Sequence, residues 1–532
     1  MPMTTTPPGR YLNPVLDADW PDPDVIRDGD TYVMVASSFN RAPGLPVLTS
    51  PDLVNWAIAS HALAAVPPDD HFSLPRHGEG IWAPAIRRHG EDLVIVYPDP
   101  DHGIFSTRAR SAAGPWSAPT LLLAGSGLID PCPLWDDDGR AYLVHGWAAS
   151  RAGVKNRLTV VEVASDLSRP VGRPRTVIDG DALPGYTTLE GPKFYKRNGW
   201  YWIFAPAGGV SIGWQSAFRS RDAFGPYEDR IVLAQGDSPV NGPHQGAWVD
   251  TPDGADWFLH FSDRGPYGRV VHLQPMAWDA GGWPVLGKPG PDGVGQPVLS
   301  HEAPVPGTVQ AGHGPDGSDD FTAAELGPQW HWQANPAPHW AHPDGSGALA
   351  LTAVPADRGD LRSLGNVLGQ VLPGQPVTAT TSLSLPDGVP GTRAGLVVLG
   401  RAYCWLGLEH TDDGVTVAAG RLLDGVTEER VHRADQPASA TIEIRLTSDG
   451  AGSADLAYRL PGTADWVPAV DGFAVRPGRW IGAELGLFAA APVGTDEDVR
   501  ARFGPVTLST HAATYAAQVH DHAHASTAEV TA

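Results

Sequence analysis

Cysteine and long apolar runs are scarce in this chain of 532 residues. Its two cysteines, Cys132 and Cys404, exclude a framework of several disulfides and zinc sites built from cysteine. No segment approaches the roughly eighteen consecutive apolar residues of a membrane-spanning helix. The N-terminus, MPMTTTPPGR, lacks a basic stretch followed by an apolar run. We therefore expect no secretion signal and a cytoplasmic protein.

Positive charge is also in short supply. The chain has 37 Lys and Arg against 60 Asp and Glu, which gives a formal net charge of −23. This charge repels nucleic acids and anionic membrane surfaces, and a neutral ligand is indifferent to it. We expect neither a nucleic acid nor a membrane as partner, and the sequence leaves the oligomeric state open.

Turn residues and tryptophan are abundant instead. The 62 glycines and 52 prolines indicate many tight turns. No stretch shows sustained 3.6-residue periodicity, which argues against βαβ architecture. The 19 tryptophans have large flat faces suited to cores and to stacking on sugar rings, and we expect most of them in cores. The composition predicts an all-β chain of at least two domains.

A turn followed by an aromatic-rich alternating strand recurs five times in the first 300 residues. The spacings between the turn glycines are 61, 49, 60 and 55 residues. These glycines are Gly29, Gly90, Gly139, Gly199 and Gly254. Each turn with its flanking strands is typical of a β-hairpin. Five units of about four strands predict a five-bladed β-propeller over residues 11–300, with an irregular β-sandwich as the alternative.

The pattern changes near residue 300. Residues 301–318 are rich in glycine and proline and are predicted to form a linker. Alternating apolar runs separated by Gly/Asp turns predict a β-sandwich, jelly-roll or concanavalin-like, over residues 319–510. The Ala- and His-rich residues 511–532 are predicted to be a flexible tail. A short histidine run in this tail contains His520, Asp521, His522 and His524. We favour a solvated tail over a metal site for this run.

Chemically distinctive residues stand seven to ten positions before the five turn glycines. They are Asp22, Trp82, Asp130, Glu190 and His244. If the blades are related by rotation, these side chains converge on the ring axis. Three crowded carboxylates cannot all ionise cheaply, so at least one pKa should be raised. A raised carboxylic acid beside an ionised carboxylate can cleave a glycosidic bond, whereas a single aspartate in such a turn usually caps it.

Prolines 21 and 23 flank Asp22. Proline fixes its own φ and biases the preceding residue toward extended geometry. We therefore expect Asp22 in a rigid, non-helical peptide that aims its carboxylate at the site. Its neighbour Asp24 is expected to be structural.

Several motifs resemble those of glycoside hydrolase family 43, and most closely its β-xylosidase and α-L-arabinofuranosidase members with a C-terminal β-sandwich. The motifs are "NPVLDADWPDPDVIRDGDTYVMVASSF", "GLPVLTSPDLVNW", "GIWAPAI", "LIDPCPLWDDDGRAYLVHG", "LEGPKFYKRNGWYWIFAP" and "NGPHQGAWVDTPDGADWFLHF". The resemblance covers about residues 12–300, with a looser match in the sandwich at "LGPQWHWQANP". It implies a five-bladed propeller and an inverting, exo-acting mechanism.

The resemblance implies roles for the three acids. Asp22 resembles the general base that activates water, and Glu190 resembles the general acid. Asp130 resembles the third carboxylate, which tunes and orients that acid. No cofactor is expected for the chemistry.

The resemblance also implies substrate contacts. Arg269 resembles the arginine that hydrogen-bonds sugar hydroxyls, and Trp82 and Phe39 resemble the aromatic walls around the terminal sugar. His244 resembles an axial histidine that contacts a calcium ion or a water cluster, and a neutral core histidine is an equal alternative. A sandwich loop that narrows the pocket is implied as well, but the sequence does not identify its residues.

The expected function is release of terminal xylose or L-arabinose from plant-derived xylan- or arabinoxylan-type oligosaccharides. The sequence does not distinguish the two sugars, and specificity for another terminal pentose linkage is an alternative. A non-catalytic sugar-binding propeller would keep Trp82 and Arg269 but would not need three acids. A G-x-S-x-G motif at Gly209, Ser211 and Gly213 suggests a serine hydrolase. The segment after it lacks the apolar periodicity of the helix that a nucleophile elbow requires.

Overall fold

The computed structural model describes residues 9–356, 359–423, 425, 427–434, 440–495 and 499–511, and they form an all-β protein. The helical elements are short: α1 (Ala149–Ala152) and 3-10 turns at His71–Ser73, Gly180–Ala182, Gly265–Tyr267 and Leu361–Ser363. Among the described helices none is long and apolar enough to cross a membrane. The HDHAH run and nearly all of the predicted tail lie outside the described residues.

The first domain is a ring of five antiparallel sheets, each with four strands from one continuous stretch of chain. Strand β1 (Arg10–Leu12) precedes the ring. The first two blades are β2 (Asp24–Asp28), β3 (Thr31–Val35), β4 (Gly44–Ser50) and β5 (Ala57–Leu63), then β6 (Ala85–His89), β7 (Asp92–Asp99), β8 (Gly103–Ala109) and β9 (Thr120–Ala124). The third is β10 (Leu128–Trp135), β11 (Ala141–Trp147), β12 (Arg157–Val163) and β13 (Arg175–Asp179). The last two are β14 (Lys193–Arg197), β15 (Trp200–Ala207), β16 (Trp214–Ser220) and β17 (Glu228–Ala234), then β18 (His244–Asp250), β19 (Asp256–Asp263), β20 (Arg269–Trp278) and β21 (Pro284–Leu286).

The five predicted turn glycines confirm the propeller rhythm. Each lies between the first and second strands of a blade. Their φ angles are all positive, between 60° and 85°. Glycine adopts this left-handed region without steric cost, so it makes the tight turn that starts every blade.

Short strands complete the ring. β22 (Lys288–Pro289) and β23 (Gly295–Gln296) extend the fourth blade, and β24 (Ser300–Glu302) pairs with β1. The segment before the first blade contacts the fifth blade through a bridge between Leu16 and Val271 and through the Tyr11 hydroxyl, which donates to the Leu273 carbonyl at 2.9 Å. These contacts and the packing of β2 against β18 join the two ends of the ring.

The second domain is a sandwich of two sheets. After residues 303–318, which contain no strand, come β25 (His331–Trp332), β26 (Ala341–Pro343), β27 (Leu349–Thr352), β28 (Val354–Pro355), β29 (Leu368–Val371), β30 (Val377–Ser384), β31 (Arg393–Leu399) and β32 (Tyr403–Thr411). They are followed by β33 (Gly414–Leu422), β34 (Glu429–Arg433), β35 (Thr441–Ser448), β36 (Ser453–Arg459), β37 (Val467–Ala474), β38 (Glu484–Ala491), β39 (Arg500–Phe503) and β40 (Thr507–Thr510). One sheet has the order β25-β29-β38-β31-β32-β33-β34, and the other has β26-β27-β39-β30-β35-β36-β37. Trp330, Trp332 and Trp340 lie in the core of this domain, as expected.

The two domains pack tightly against each other. Tyr267 belongs to the propeller, yet its fully buried ring is part of the sandwich core, and its hydroxyl accepts from the Gly452 N–H at 2.9 Å. Ala42 and Trp332 form a backbone bridge, with N–H···O distances of 2.7 and 3.1 Å. This junction brings the start of β38 against the propeller end that carries the predicted acids.

Candidate active site

The residues predicted to converge lie at one end of the ring. Asp22, Trp82 and Glu190 come just before the innermost strands of their blades, and His244 begins β18. Asp130 lies in β10, where a bulge interrupts the ladder between Ile129 and Cys132. The five residues thus lie near the start of the innermost strand of their blades.

Asp22 is held at both carboxylate oxygens. Ser37 donates its hydroxyl to Oδ2 at 2.6 Å, and Arg269 donates Nη1–H to Oδ1 at 2.8 Å. The side chain is only 7% exposed. The carboxylate is therefore fixed in direction and paired with a positive charge.

The backbone at Asp22 corrects the sequence-based expectation. Its φ is 56°, in the left-handed region, rather than extended. Asp130, which also precedes a proline, has the same φ of 56°. Asp and Asn tolerate this region better than other side chains, because they can hydrogen-bond locally. Two blades thus use the same strained Asp-Pro geometry to present an acid. Such strained residues are concentrated at functional sites, where the surrounding structure holds them in place.

Asp130 is the carboxyl whose pKa is most affected. Burial first, and then the nearby Glu190 and Asp22 carboxylates, raise its pKa from 3.8 to about 8. Its Oδ2 accepts the Gly191 N–H at 2.8 Å. A Cβ built on Gly146 would lie 3.6 Å from Asp130 Oδ2 and 3.8 Å from Glu190 Cα, which is ordinary van der Waals contact, so this strand packs alongside the pair. The raised pKa favours the protonated, neutral form of Asp130 beside Glu190 at neutral pH.

Glu190 is the accessible member of the group. Its side chain is 30% exposed, and its backbone N–H donates to the Pro206 carbonyl at 3.2 Å. The carboxylate Oε1 lies 3.4 Å from His244 Nε2. Glu190 is therefore accessible to a ligand, whereas Asp130 is buried and is not.

His244 is almost fully buried, and neither ring nitrogen has a hydrogen-bond partner among the described residues. Calcium prefers six to eight oxygen ligands. Within the described part of the chain no group of three or more His, Cys, Asp or Glu side chains could hold a metal ion. The donor set around His244 thus does not fit a calcium ion held by side chains, and the predicted ion stays a prediction.

Arg269 is positioned through its backbone. Its N–H donates to Asp19 Oδ1 at 3.0 Å, while its guanidinium binds Asp22. The preceding Gly268 has φ 72°, and a Cβ there would fall 2.1 Å from Asp19 Oδ1. Only glycine lets this turn approach the Asp19 carboxylate closely enough to form the bond.

Three aromatic rings flank the site. Phe39 and Trp82 have ring centroids 6.2 Å apart, and Trp82 and Trp480 have centroids 6.5 Å apart. Trp480 is half exposed and lies between β37 and β38, in the sandwich domain. Next to it, Arg479 packs against Gly78, whose carbonyl accepts the Trp82 indole N–H at 3.1 Å. The loop of the sandwich that the sequence left unidentified is this one.

Sequence reasoning missed four residues that hold the site together. Ser37, Asp19 and Trp480 contact the predicted residues directly, and Arg41 contacts Asp19 at 3.1 Å. A signal existed only for Trp480, an aromatic residue in the turn "RPGRW" between two strands. Asp24, in contrast, is structural as expected, because it is fully buried and pairs with Arg87 at 2.6 Å.

The G-x-S-x-G segment has no nucleophile elbow. Strand β16 begins at Trp214, directly after Gly213, where an elbow would require a helix. Ser211 is exposed. The serine hydrolase interpretation is therefore wrong.

Comparisons with known proteins cover both domains. The model of glycosyl hydrolases family 43 matches residues 11–284, and that of the beta-xylosidase C-terminal concanavalin A-like domain matches residues 318–508. A putative beta-xylosidase of Xylanibacter ruminicola is 37% identical over 90% of this chain and 86% of its own length. A non-reducing end alpha-L-arabinofuranosidase of Bacteroides ovatus is 30% identical over 73% of each chain.

Solved structures share the whole fold. A family 43 protein of Bacillus licheniformis, in a mutant form, superposes with a TM-score of 0.82 at 23% identity, over 94% of this chain and all of that chain. A xylan beta-1,4-xylosidase of Bacillus halodurans gives a TM-score of 0.82 at 22% identity, with the same coverage. The arrangement of propeller and sandwich is therefore shared across large sequence distances.

Proposed function

Because this chain belongs to glycosyl hydrolases family 43 and is a glycosidase, we propose that it removes terminal xylose or L-arabinose from xylan- or arabinoxylan-type oligosaccharides. The names of the two relatives described above support these two sugars. The observation that carries the proposal is the unlike surroundings of three carboxyls at one end of the ring. Asp22 is paired with a cation, Asp130 is buried and neutral, and Glu190 is open to a ligand.

In the proposed reaction Asp22 is the general base. It accepts a proton from water, whose oxygen attacks the anomeric carbon of the terminal sugar. Glu190 donates a proton to the glycosidic oxygen as the bond between this oxygen and the anomeric carbon breaks. The sugar leaves with inverted configuration, and the shortened oligosaccharide leaves with a new hydroxyl group.

Asp130 would act on Glu190 rather than on the sugar. When Glu190 loses its proton it becomes a carboxylate, and a second carboxylate beside it would oppose that step. The raised pKa of Asp130 keeps this neighbour protonated, and Asp130 can then return a proton to Glu190 after the transfer. Its hydrogen bond from the Gly191 N–H also fixes the backbone next to the acid.

The pocket walls support an exo-acting enzyme. Phe39, Trp82 and Trp480 offer flat aromatic faces to a sugar ring. Trp480 arrives from the other domain and closes one side, so a single terminal sugar fits better than the middle of a polymer. A neutral oligosaccharide is also unaffected by the net charge of −23.

The test compares the wild type with Asp22→Asn and Glu190→Gln on p-nitrophenyl β-D-xyloside, p-nitrophenyl α-L-arabinofuranoside and xylobiose. Asparagine is chosen because it tolerates the φ of 56° at position 22. Asp22→Asn should lower kcat about 100-fold or more on every substrate. Glu190→Gln should lose more on xylobiose than on the nitrophenyl sugars, because nitrophenolate leaves without a proton.

The configuration of the first product, followed by NMR, tests the inverting outcome. Wild-type rates in both variants would contradict the assignment of acid and base. Binding of xylo-oligosaccharides without turnover by the wild type would favour the non-catalytic alternative.

A further inference from the structure

We propose that Glu484, in the sandwich domain, is a positioning residue for Asp22 and acts through Arg41, Asp19 and Arg269. The proposal rests on the role of Asp22 as the general base. It makes the second domain part of the catalytic geometry, beyond the wall that Trp480 supplies.

The chain of contacts begins at the first residue of β38. Glu484 is 2% exposed, and its two oxygens accept hydrogen bonds from Arg41 Nε and Gln333 Nε2. His331 Nε2 lies 3.0 Å from Oε1. Burial opposes ionisation, but Arg41 and His331 hold the pKa of Glu484 at about 2. Glu484 is therefore a fixed anion facing the propeller.

Arg41 carries the contact into the propeller. Its Nη1 binds Asp19 Oδ2 at 3.1 Å, so one guanidinium bridges a carboxylate from each domain. Asp19 is 2% exposed and uses its other oxygen, Oδ1, to accept the Arg269 N–H at 3.0 Å. Arg269 then binds Asp22 at 2.8 Å. Four consecutive polar contacts thus join Glu484 to the carboxylate of the base.

The backbone makes a second connection between the same segments. The Ala483 N–H donates to the Pro266 carbonyl at 2.7 Å. A Cβ on Gly482 would lie 2.8 Å from the Gly268 nitrogen, so the two segments of backbone are in contact one residue before Arg269. The residues just before β38 therefore contact the turn that positions Arg269, while Glu484 acts through Arg41 on Asp19, the carboxylate that accepts the Arg269 N–H.

The physical cause of the coupling is a buried charge balance. Arg41 is nearly fully buried and is shared between Glu484 and Asp19. If Glu484 loses its charge, Arg41 keeps Asp19 as its charged partner in this chain of contacts, and Asp19 is drawn toward Arg41. Asp19 Oδ1 then moves away from the Arg269 N–H, and Arg269 shifts against Asp22. Small misplacements of a reacting group cost large factors in rate.

The experiment measures kcat and KM on p-nitrophenyl β-D-xyloside for Glu484→Gln, Asp19→Asn and the double variant. The matched control is Glu428→Gln. Glu428 is a largely buried sandwich glutamate that binds Arg393 at 2.6 Å and Tyr403 at 2.8 Å, outside this chain of contacts. Thermal unfolding verifies that each variant is folded at the assay temperature.

Glu484→Gln should lower kcat at least tenfold with KM within about threefold of wild type, and Glu428→Gln should leave kcat within twofold. The double variant should lose no more than the worse single variant, because both changes break one path. If Glu484→Gln does not fold, Arg41→Lys replaces it with the same expectation, since lysine cannot bridge two carboxylates in a fixed fork.

Wild-type kcat in folded Glu484→Gln would overturn the proposal. So would a double variant whose loss is the product of the two single losses. The Asp22→Asn variant separates this outcome from a failure of the proposed function. If Asp22→Asn stays active, the base assignment is wrong; if it is inactive while Glu484→Gln is fully active, only the positioning role is wrong.

Discussion

Replacing Asp130 by asparagine should stabilise the protein while it damages the site. In the folded protein burial, together with the neighbouring Glu190 and Asp22 carboxylates, raises the pKa of Asp130 from its ordinary 3.8 to about 8. Between these values the folded state keeps a proton that the unfolded state has lost. Wild-type stability therefore falls as the pH rises from about 4 to 8. Asparagine is neutral throughout and removes this dependence.

The magnitude follows from the two pKa values. At pH 7 about three pH units separate the solution from the ordinary pKa of aspartate, at about 1.4 kcal/mol for each unit. The Asp130→Asn variant should thus be more stable than the wild type by up to about 4 kcal/mol at pH 7, and by about 1 kcal/mol at pH 4.5. The amide oxygen can still accept the Gly191 N–H, and asparagine tolerates the φ of 56°.

Urea unfolding at pH 4.5, 6 and 7.5 measures the difference, with Asp24→Asn as the control. Asp24 is fully buried but paired with Arg87, so its asparagine variant leaves that cation without its partner and should be less stable than the wild type at each pH. An Asp130→Asn variant with the stability and pH slope of the wild type would refute the reasoning. Its kcat should fall about 100-fold, because the amide cannot exchange a proton with Glu190.

Three further perturbations probe the second domain. Trp480→Ala should raise KM for xylobiose several-fold because it removes one aromatic wall of the site. Trp466→Ala, on another loop of the sandwich, should leave KM unchanged. Equal KM values in the two variants would contradict the role of Trp480 as a wall. Tyr267→Ala should cost about 3–5 kcal/mol and expose the domain junction to proteases, whereas Tyr267→Phe should cost far less; equal urea midpoints for the two would contradict its place in the core. Burial raises the pKa of Glu484, but Arg41 and His331 lower it more, so the net change is from 4.5 to about 2. The stabilisation from this ion pair is therefore complete above about pH 4.5 and is lost as the pH falls toward 2. Unfolding at pH 5 and pH 3 should show a smaller loss in Glu484→Gln than in the wild type, and an equal loss would be evidence against this ion pair.

The propeller could be predicted from sequence because its signal is local and repeated. Each hairpin needs a residue at positive φ, and Gly29 and its four counterparts supply one at similar intervals. Counting back from those turns finds Asp22, Asp130 and Glu190 at one end of the ring. Because the blades are similar and related by rotation, residues at matching positions in each repeat lie near each other at one end of the ring. These residues can therefore be found from the local sequence pattern alone.

The rest of the site depends on contacts that leave no local pattern. Arg41 and Glu484 are separated by 443 residues and meet only because two domains dock. Trp480 reaches Trp82 for the same reason. At Asp22 the rule for residues before proline predicted extended backbone, and the tertiary structure imposed the left-handed region instead. Docking and strain are decided by the whole fold.

The seam of the ring has a consequence for how the second domain is connected to the first. Strand β1 pairs with β24, so the propeller's first and last segments lie side by side. The chain enters and leaves the ring at one place, and each blade is complete without borrowing a strand. A further domain can be attached there by gene fusion without breaking a blade. The seam thus lets the sandwich follow the ring without interrupting a blade, and the buried Arg41 then joins the two domains through Asp19 and Glu484.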